Sequence, residues 1–153
     1  MSIKLSTGLR NAMMKDKGFV EALVNGVIDI YSGAQPASAD AAETGTKLLR
    51  ITLNNAAFVA GQAANGLEFE TTPANGIAVK AIAEVWSGLG LADGQAGWYR
   101  HYDNAATTGQ STSAVRLDGA CATSGSQLNM SSTTVVTSAP ITIDSCAYTF
   151  PAS

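Results

Sequence analysis

Val27-Ile28-Asp29-Ile30-Tyr31-Ser32-Gly33 is the stretch on which the fold turns. Up to Gly26 the apolar residues follow a helical spacing. From Val27 the period becomes that of a strand, β-branched and aromatic side chains dominate, and Ser32-Gly33 closes the run. N-terminal to this switch, Ser6 or Thr7 is placed to cap a helix carrying Leu9, Ala12 and Met13. Gly18 interrupts that helix. A second short helical piece, residues 19–24, runs into Asn25-Gly26, a helix-stop pair.

C-terminal to the switch, strand signals recur about every ten residues. Residues 34–45 (AQPASADAAETG) form a small-residue loop without periodicity. Thr46 to Leu53 alternates, with Leu49, Ile51 and Leu53 against Arg50 and Thr52. Residues 54–66 read as a loop, and 67–70 alternate again. Asn75-Gly76 is the strongest hairpin signal and leads into 77–86, a strand with a bend. A glycine-rich connection precedes Trp98-Tyr99-Arg100-His101-Tyr102. Further strands are predicted at 114–121, 128–130, 133–137 and 141–150. The expected architecture is mainly β: an antiparallel β-sandwich, jelly-roll or Greek-key-like, over residues 27–153, with a helical N-terminal arm over 1–26.

Composition agrees. Of 153 residues, 46% are hydrophobic and only 14% charged, which excludes a disordered chain. Ala, Gly, Thr and Ser number 26, 15, 15 and 14, a profile for strands and tight turns rather than a Leu/Glu/Lys-rich bundle. The net charge of -3 gives no overall basic footprint for nucleic acid. It is unevenly spread: Lys4, Arg10, Lys15 and Lys17 against Asp16 make residues 1–17 net +3, leaving -6 for the rest. A basic arm on an acidic body suits an acidic partner surface. No stretch reaches the roughly 18 apolar residues of a membrane helix. The N-terminus shows no secretory h-region, so synthesis in the cytoplasm is expected.

Chemistry-bearing residues are sparse. With one histidine and no C-x-x-C pair, neither a zinc site nor another bound cofactor is expected. Cys121 and Cys146 form either a disulfide, contributing roughly 3.5 kcal/mol for a loop of that length, or two buried thiols. His101 beside Asp103 could serve as a general base, but on an alternating strand it is expected as a surface or rim residue. Glu68, Glu70, Glu84 and Asp103 offer no carboxylate pair that spacing assigns to one site. There is no G-x-S-x-G elbow, and Gly88 to Gly94 lacks the spacing of a phosphate loop. The chain does not read as an enzyme. Trp86, Trp98 and Tyr99 either fill the core or present exposed rings to a sugar or a protein.

Several segments together carry a resemblance. They are residues 5–12 (LSTGLRNA), 25–36 (NGVIDIYSGAQP), 84–88 (EVWSG), 97–100 (GWYR), 116–119 (RLDG) and 123–132 (TSGSQLNMSS). In this order, over nearly the whole chain, they resemble small structural proteins of tailed bacteriophages and prophages. The resemblance brings no catalytic residues. It implies a component of the virion, first a head decoration or cement protein. Its partners would be the major capsid protein or other virion proteins, and copies of itself as dimers or trimers. Lys4, Leu5, Leu9, Arg10 and Met13 are the expected docking residues of the arm. The alternatives are a neck, collar or tail component and, from another class, a glycan-binding module using Trp86, Trp98 and Tyr99.

Overall fold

The computed structural model describes residues 3–152; residues 1 and 2 of the arm and residue 153 lie outside the described residues. The first strand, β1 (Lys4–Leu5), is followed by helix α1 (Thr7–Lys15) and the single turn α2 (Phe19–Ala22). Ser6 caps α1, its hydroxyl accepting from Leu9 N–H. Gly18 stands at the N-cap of α2, and Asn25 takes a left-handed conformation (φ 56°) that ends the helical segment. The remaining strands are β2 (Val27–Ser32), β3 (Lys47–Leu53), β4 (Ile77–Val79), β5 (Trp86–Leu89), β6 (Gly94–Tyr102), β7 (Arg116–Ala122), β8 (Leu128–Met130), β9 (Thr134–Val135) and β10 (Pro140–Thr149).

Their pairing corrects the expected sandwich. Among the described residues, seven strands close on themselves in the order β2-β3-β5-β10-β8-β7-β6 and back to β2, a β-barrel with extra strands at its margins. The closing stave is the three-residue β8. It pairs antiparallel with β10 and parallel with the end of β7, at Cys121↔Leu128 and Ala122↔Asn129. A sandwich would leave edges at these strands, whereas closure abolishes them. Period-two alternation and turn spacing are the same in both architectures, because they report which face a side chain takes and not which strand lies next door. The β-rich content itself stands.

Register shifts at Ile30/Tyr31 and Tyr31/Ser32 in β2 and at Ile143/Ser145 in β10 bend the wall. Both β4 and β5 run antiparallel to β10, β5 against Pro140–Thr142 and β4 against Ala147–Thr149. They are two halves of one stave, and the bend expected in 77–86 is an outward excursion of residues 80–85 between them. Gly119 has no side chain where the Tyr99 ring lies: a Cβ there would come within 2.6 Å of Tyr99 Oη.

The core holds Ile28, Ile30, Leu49, Ile51, Trp86 and Tyr148 inside the barrel, with Phe69 and Leu67 arriving from the long 54–76 connection. Phe19, Ala22 and Leu23 from the N-terminal segment join the same cluster, as does Leu9 of α1. No described helix is long and apolar enough to cross a membrane.

Candidate functional site

Strands β2, β3, β6 and β7 bury both faces. Their inner residues form the core just described. Their outer residues are Asp29 on β2, Arg50 on β3, Trp98, Arg100 and Tyr102 on β6, and Arg116 and Asp118 on β7. Residues 33–46 cross this outer wall as a strap, and residues 104–113 flank it. Register places Arg100 opposite both Asp29 and Asp118.

Arg100 donates from Nε and Nη2 to the two oxygens of Asp118, at 2.6 and 2.7 Å, and both side chains are fully buried. Its Nη1 reaches the strap, donating to Glu43 Oε1 and Ala41 O, each at 2.9 Å. The same Glu43 oxygen accepts from Tyr102 Oη at 2.8 Å, and Oε2 accepts from Gly109 N–H at 2.9 Å. Arg116 Nη1 lies 3.8 Å from Glu43 Oε1, but its hydrogen bonds go to backbone. It donates to the backbone carbonyls of Ala39, Thr107 and Gly109 at 2.7, 2.8 and 2.6 Å, tying strap and flanking loop together. Asp29 is held bidentately by Arg50 at 2.7 and 2.8 Å and by Lys47 at 2.9 Å. Trp98 stacks on Tyr31 at 4.6 Å, and Arg100 lies over its ring.

Charge in this wall follows contact. Burial pushes Glu43 up, but the Gly109 amide, the Tyr102 hydroxyl and the Arg100 cation together hold it below the ordinary carboxylate range. Burial raises Asp118 against the pull of Arg100. Burial opposes charge on Arg100 too, yet Asp118 and Glu43 leave it above its usual value. Asp40, on the same strap, is lowered by the Thr7 hydroxyl and amide, which donate at 2.7 and 2.8 Å. Asp40 thereby anchors the first turn of α1.

The residues singled out in the sequence fall into different places. Of the docking set, Lys4 donates to Pro36 O at 2.6 Å, joining β1 to the strap. Leu5 pairs with Leu117 of β7 and is half-buried. Leu9 is wholly buried, a contribution of about 2 kcal/mol, and Met13 packs against the core. Only Arg10 faces outward, donating to Thr7 Oγ1. The arm is thus sewn onto its own barrel. Its outward face is Arg10, Met14, Lys15 and Lys17.

Trp86, Trp98 and Tyr99 each have zero exposure, so they are no platform for a sugar in this fold. Cys121 and Cys146 are free thiols. Each is the register partner of Leu128, on opposite sides of β8. Two strand spacings put their Cα atoms roughly 9 Å apart, beyond the reach of a disulfide, about 7 Å. Burial pushes both thiols up to about 12.

His101 is not the surface or rim residue expected: it is fully buried and points into the barrel, because both faces of β6 are covered, stacked on Phe69 with its edge toward Trp86. Its Nδ1 lies 3.3 Å from Tyr148 Oη, and Nε2 has no partner. Desolvation lowers it to about 3, so it is neutral. Asp103 does not reach it, accepting from Ala105 N–H instead. Glu84 accepts from Trp86 Nε1 and Glu68 N–H, and Glu70 accepts from Ile82 N–H, so these carboxylates cap local backbone. Among the described residues no three His, Cys, Asp or Glu side chains gather to hold a metal ion. The arrangement can carry load between strap, helix and wall.

The strap network was outside the sequence reading. Its one signal was that Trp98 to Tyr102 is uninterrupted in large side chains, which is the mark of a strand covered on both faces.

No family profile, no curated protein and no solved structure matches this chain.

Proposed function

We propose that the chain is a structural component of a tailed-bacteriophage virion, and that it decorates the capsid lattice as a cement protein. The sequence resemblance supplies the class. The observation that carries the reading is that Arg100, Asp118, Glu43 and Arg116 are spent inside the molecule, holding strap, flanking loop and barrel together, while Lys4 and Asp40 tie the N-terminal segment to the same strap. A module that resists deformation in a pressurised shell needs such rigid cross-ties more than it needs a cleft. The partners on this reading are the major capsid protein or other virion proteins and further copies of the chain; the protein is made in the host cytoplasm and resides in the particle.

The test is copy number in purified virions, by quantitative mass spectrometry against the major capsid protein. A ratio of a few tenths or more is expected for lattice decoration. A ratio of a few per cent moves the protein to the neck, collar or tail. Absence from the particle overturns the virion reading.

A further inference from the structure

Three asparagines of the chain precede a glycine, in Asn25-Gly26, Asn65-Gly66 and Asn75-Gly76. A following glycine has no side chain to shield its backbone nitrogen. These are therefore the positions at which the main chain can most readily attack an asparagine amide. All three asparagines hold a left-handed backbone, at φ 56°, 65° and 56°, so conformation does not separate them. Their surroundings do.

Asn25 is half-buried and Gly26 buried. With its amide turned toward the neighbouring acceptors, Asn25 donates to Glu68 Oε1 and Ala63 O, and Gly26 N–H donates to Leu23 O at 3.2 Å. Asn65 Nδ2 donates to Ala57 O at 2.7 Å. Gly66 is buried against the backbone of Asn25, where a Cβ would lie 2.4 Å from Asn25 O. At both positions the amide is tied and the following glycine enclosed. Asn75 and Gly76 are exposed instead. They are the central pair of the turn before β4, closed by Ile77 N–H donating to Ala74 O at 3.0 Å. Among the described residues neither the Asn75 amide nor the Gly76 N–H has a hydrogen-bond partner. The turn leads into a strand of only three residues, so opening it locally costs little.

We propose that Asn75 is the chain's site of spontaneous deamidation, and that conversion there releases the end of β10. Once the turn relaxes, Gly76 N gives its proton to solvent base and attacks Asn75 Cγ. The new N–Cγ bond closes a five-membered succinimide, and Nδ2 departs as ammonia with a proton from solvent. Water then opens the ring at either carbonyl. Opening at Cγ leaves aspartate. Opening at the Asn75 main-chain carbonyl leaves iso-aspartate, whose backbone runs through Cβ and is one atom longer. Water enters and ammonia leaves, and nothing is oxidised or reduced. The longer backbone falls where a neighbour depends on the turn: Gly76 O accepts from Phe150 N–H at 2.8 Å, and the Phe150 ring sits edge-on to Phe19 at 5.0 Å. Displacing the Gly76 carbonyl breaks that bond and loosens β4 from Ala147–Thr149. The new carboxylate also places a negative charge beside the apolar groove lined by Phe19, Pro73, Gly76 and Phe150. The inference is independent of the virion reading, because it is tested on the purified chain.

The full chain is stored in warm, mildly alkaline buffer, and conversion at the three asparagines is followed by peptide mapping with mass spectrometry. Iso-aspartate is scored by labelling with an isoaspartyl methyltransferase. In the folded chain Asn75 is expected to convert at least tenfold faster than Asn25 and Asn65. In urea, where the surroundings are lost, the three rates are expected to converge. Amide exchange in the converted protein is expected to rise at residues 76–79 and 147–150 and to stay unchanged in β2 and β6. Asn75→Gly, which keeps a left-handed turn, is expected to hold its fresh exchange pattern at 147–150 throughout storage. Should that variant loosen the turn by itself, fresh and stored wild type give the same comparison. Equal conversion of the three asparagines in the folded chain overturns the proposal, as does a lead of Asn75 that persists undiminished in urea. So does converted protein whose exchange at 147–150 matches that of fresh protein.

Discussion

Strand β6 sends Tyr99 and His101 into the barrel and Trp98, Arg100 and Tyr102 to the outer wall, and every one of the five is fully buried. The polar atoms on the two faces are handled in opposite ways. Outside, each guanidinium and hydroxyl meets a carboxylate or carbonyl contributed by a neighbouring strand or the strap. Inside, Tyr99 Oη and His101 Nε2 have no partner at all. The inner face is stabilised by aromatic packing around Phe69, Trp86 and Tyr148 and tolerates its orphaned atoms. The outer face is stabilised by pairing, and its charges are tolerable only while every partner is present. The same strand thus shows that burial alone does not say what a substitution costs: a satisfied group is expensive to disturb, an orphan cheap to remove.

The comparison can be broken hardest at Asp118. Asp118→Ala leaves Arg100 buried with half its pairing gone, and a loss of about 3–5 kcal/mol is expected, read by urea denaturation. Asp118→Asn, which keeps shape and one acceptor, should lose less. A loss below about 1 kcal/mol for Asp118→Ala would show that the outer wall is not held by pairing.

On the inner face, His101 has its pKa depressed from 6.5 to about 3 by desolvation. The unfolded chain therefore binds a proton that the folded chain refuses. Stability is full above pH 6.5 and falls as pH drops toward 3. Between pH 6.5 and 5, above the carboxylate range, wild type should lose about 2 kcal/mol. His101→Phe should remove that slope, and a variant as pH-dependent as wild type would place the proton elsewhere.

Glu43→Gln tests the strap. The depressed pKa of Glu43 gives stability above the unfolded carboxylate pKa that is lost as pH falls through the folded one. The amide retains an acceptor but no charge, so a loss of about 1–2 kcal/mol is expected. Amide exchange should rise first in residues 34–46 and 104–113, and uniform exchange across the barrel would contradict a local latch. The smallest effect belongs to Tyr99→Phe. Removing an unpartnered buried hydroxyl is expected to leave the denaturation midpoint unchanged or slightly raised, and a loss above about 1 kcal/mol would reveal a partner for Tyr99 Oη.

Much of the strand inventory could be read directly, because period-two alternation and turn residues are local signals. Val27–Ser32, Lys47–Leu53 and Pro140–Thr149 fall close to where alternation puts them. Ser6 as a cap and Asn25-Gly26 as a stop are equally local. The destination of the arm was less legible. Leu9 and Met13 lie on one helical face, but only the packing tells that this face closes on the chain's own barrel rather than on a neighbour. Residues 34–45 read as a loop because Ala, Ser and Gly carry no period; their function as a strap depends on backbone carbonyls, which every sequence has.

The sequence by itself determined a β-rich domain, a helical start, a basic N-terminal segment on an acidic body, and the lack of any motif with catalytic spacing. Each depends on residue type or short-range periodicity. Tertiary structure decided that the sheet closes into a barrel, that Cys121 and Cys146 stand on either side of Leu128, and that Arg100, Asp118 and Glu43 meet under a strap. These are contacts between residues far apart in the sequence, such as Arg116 with Ala39, 77 positions away. Alternation fixes the face a side chain takes, but its neighbours there are chosen by the free energy of closing the whole wall.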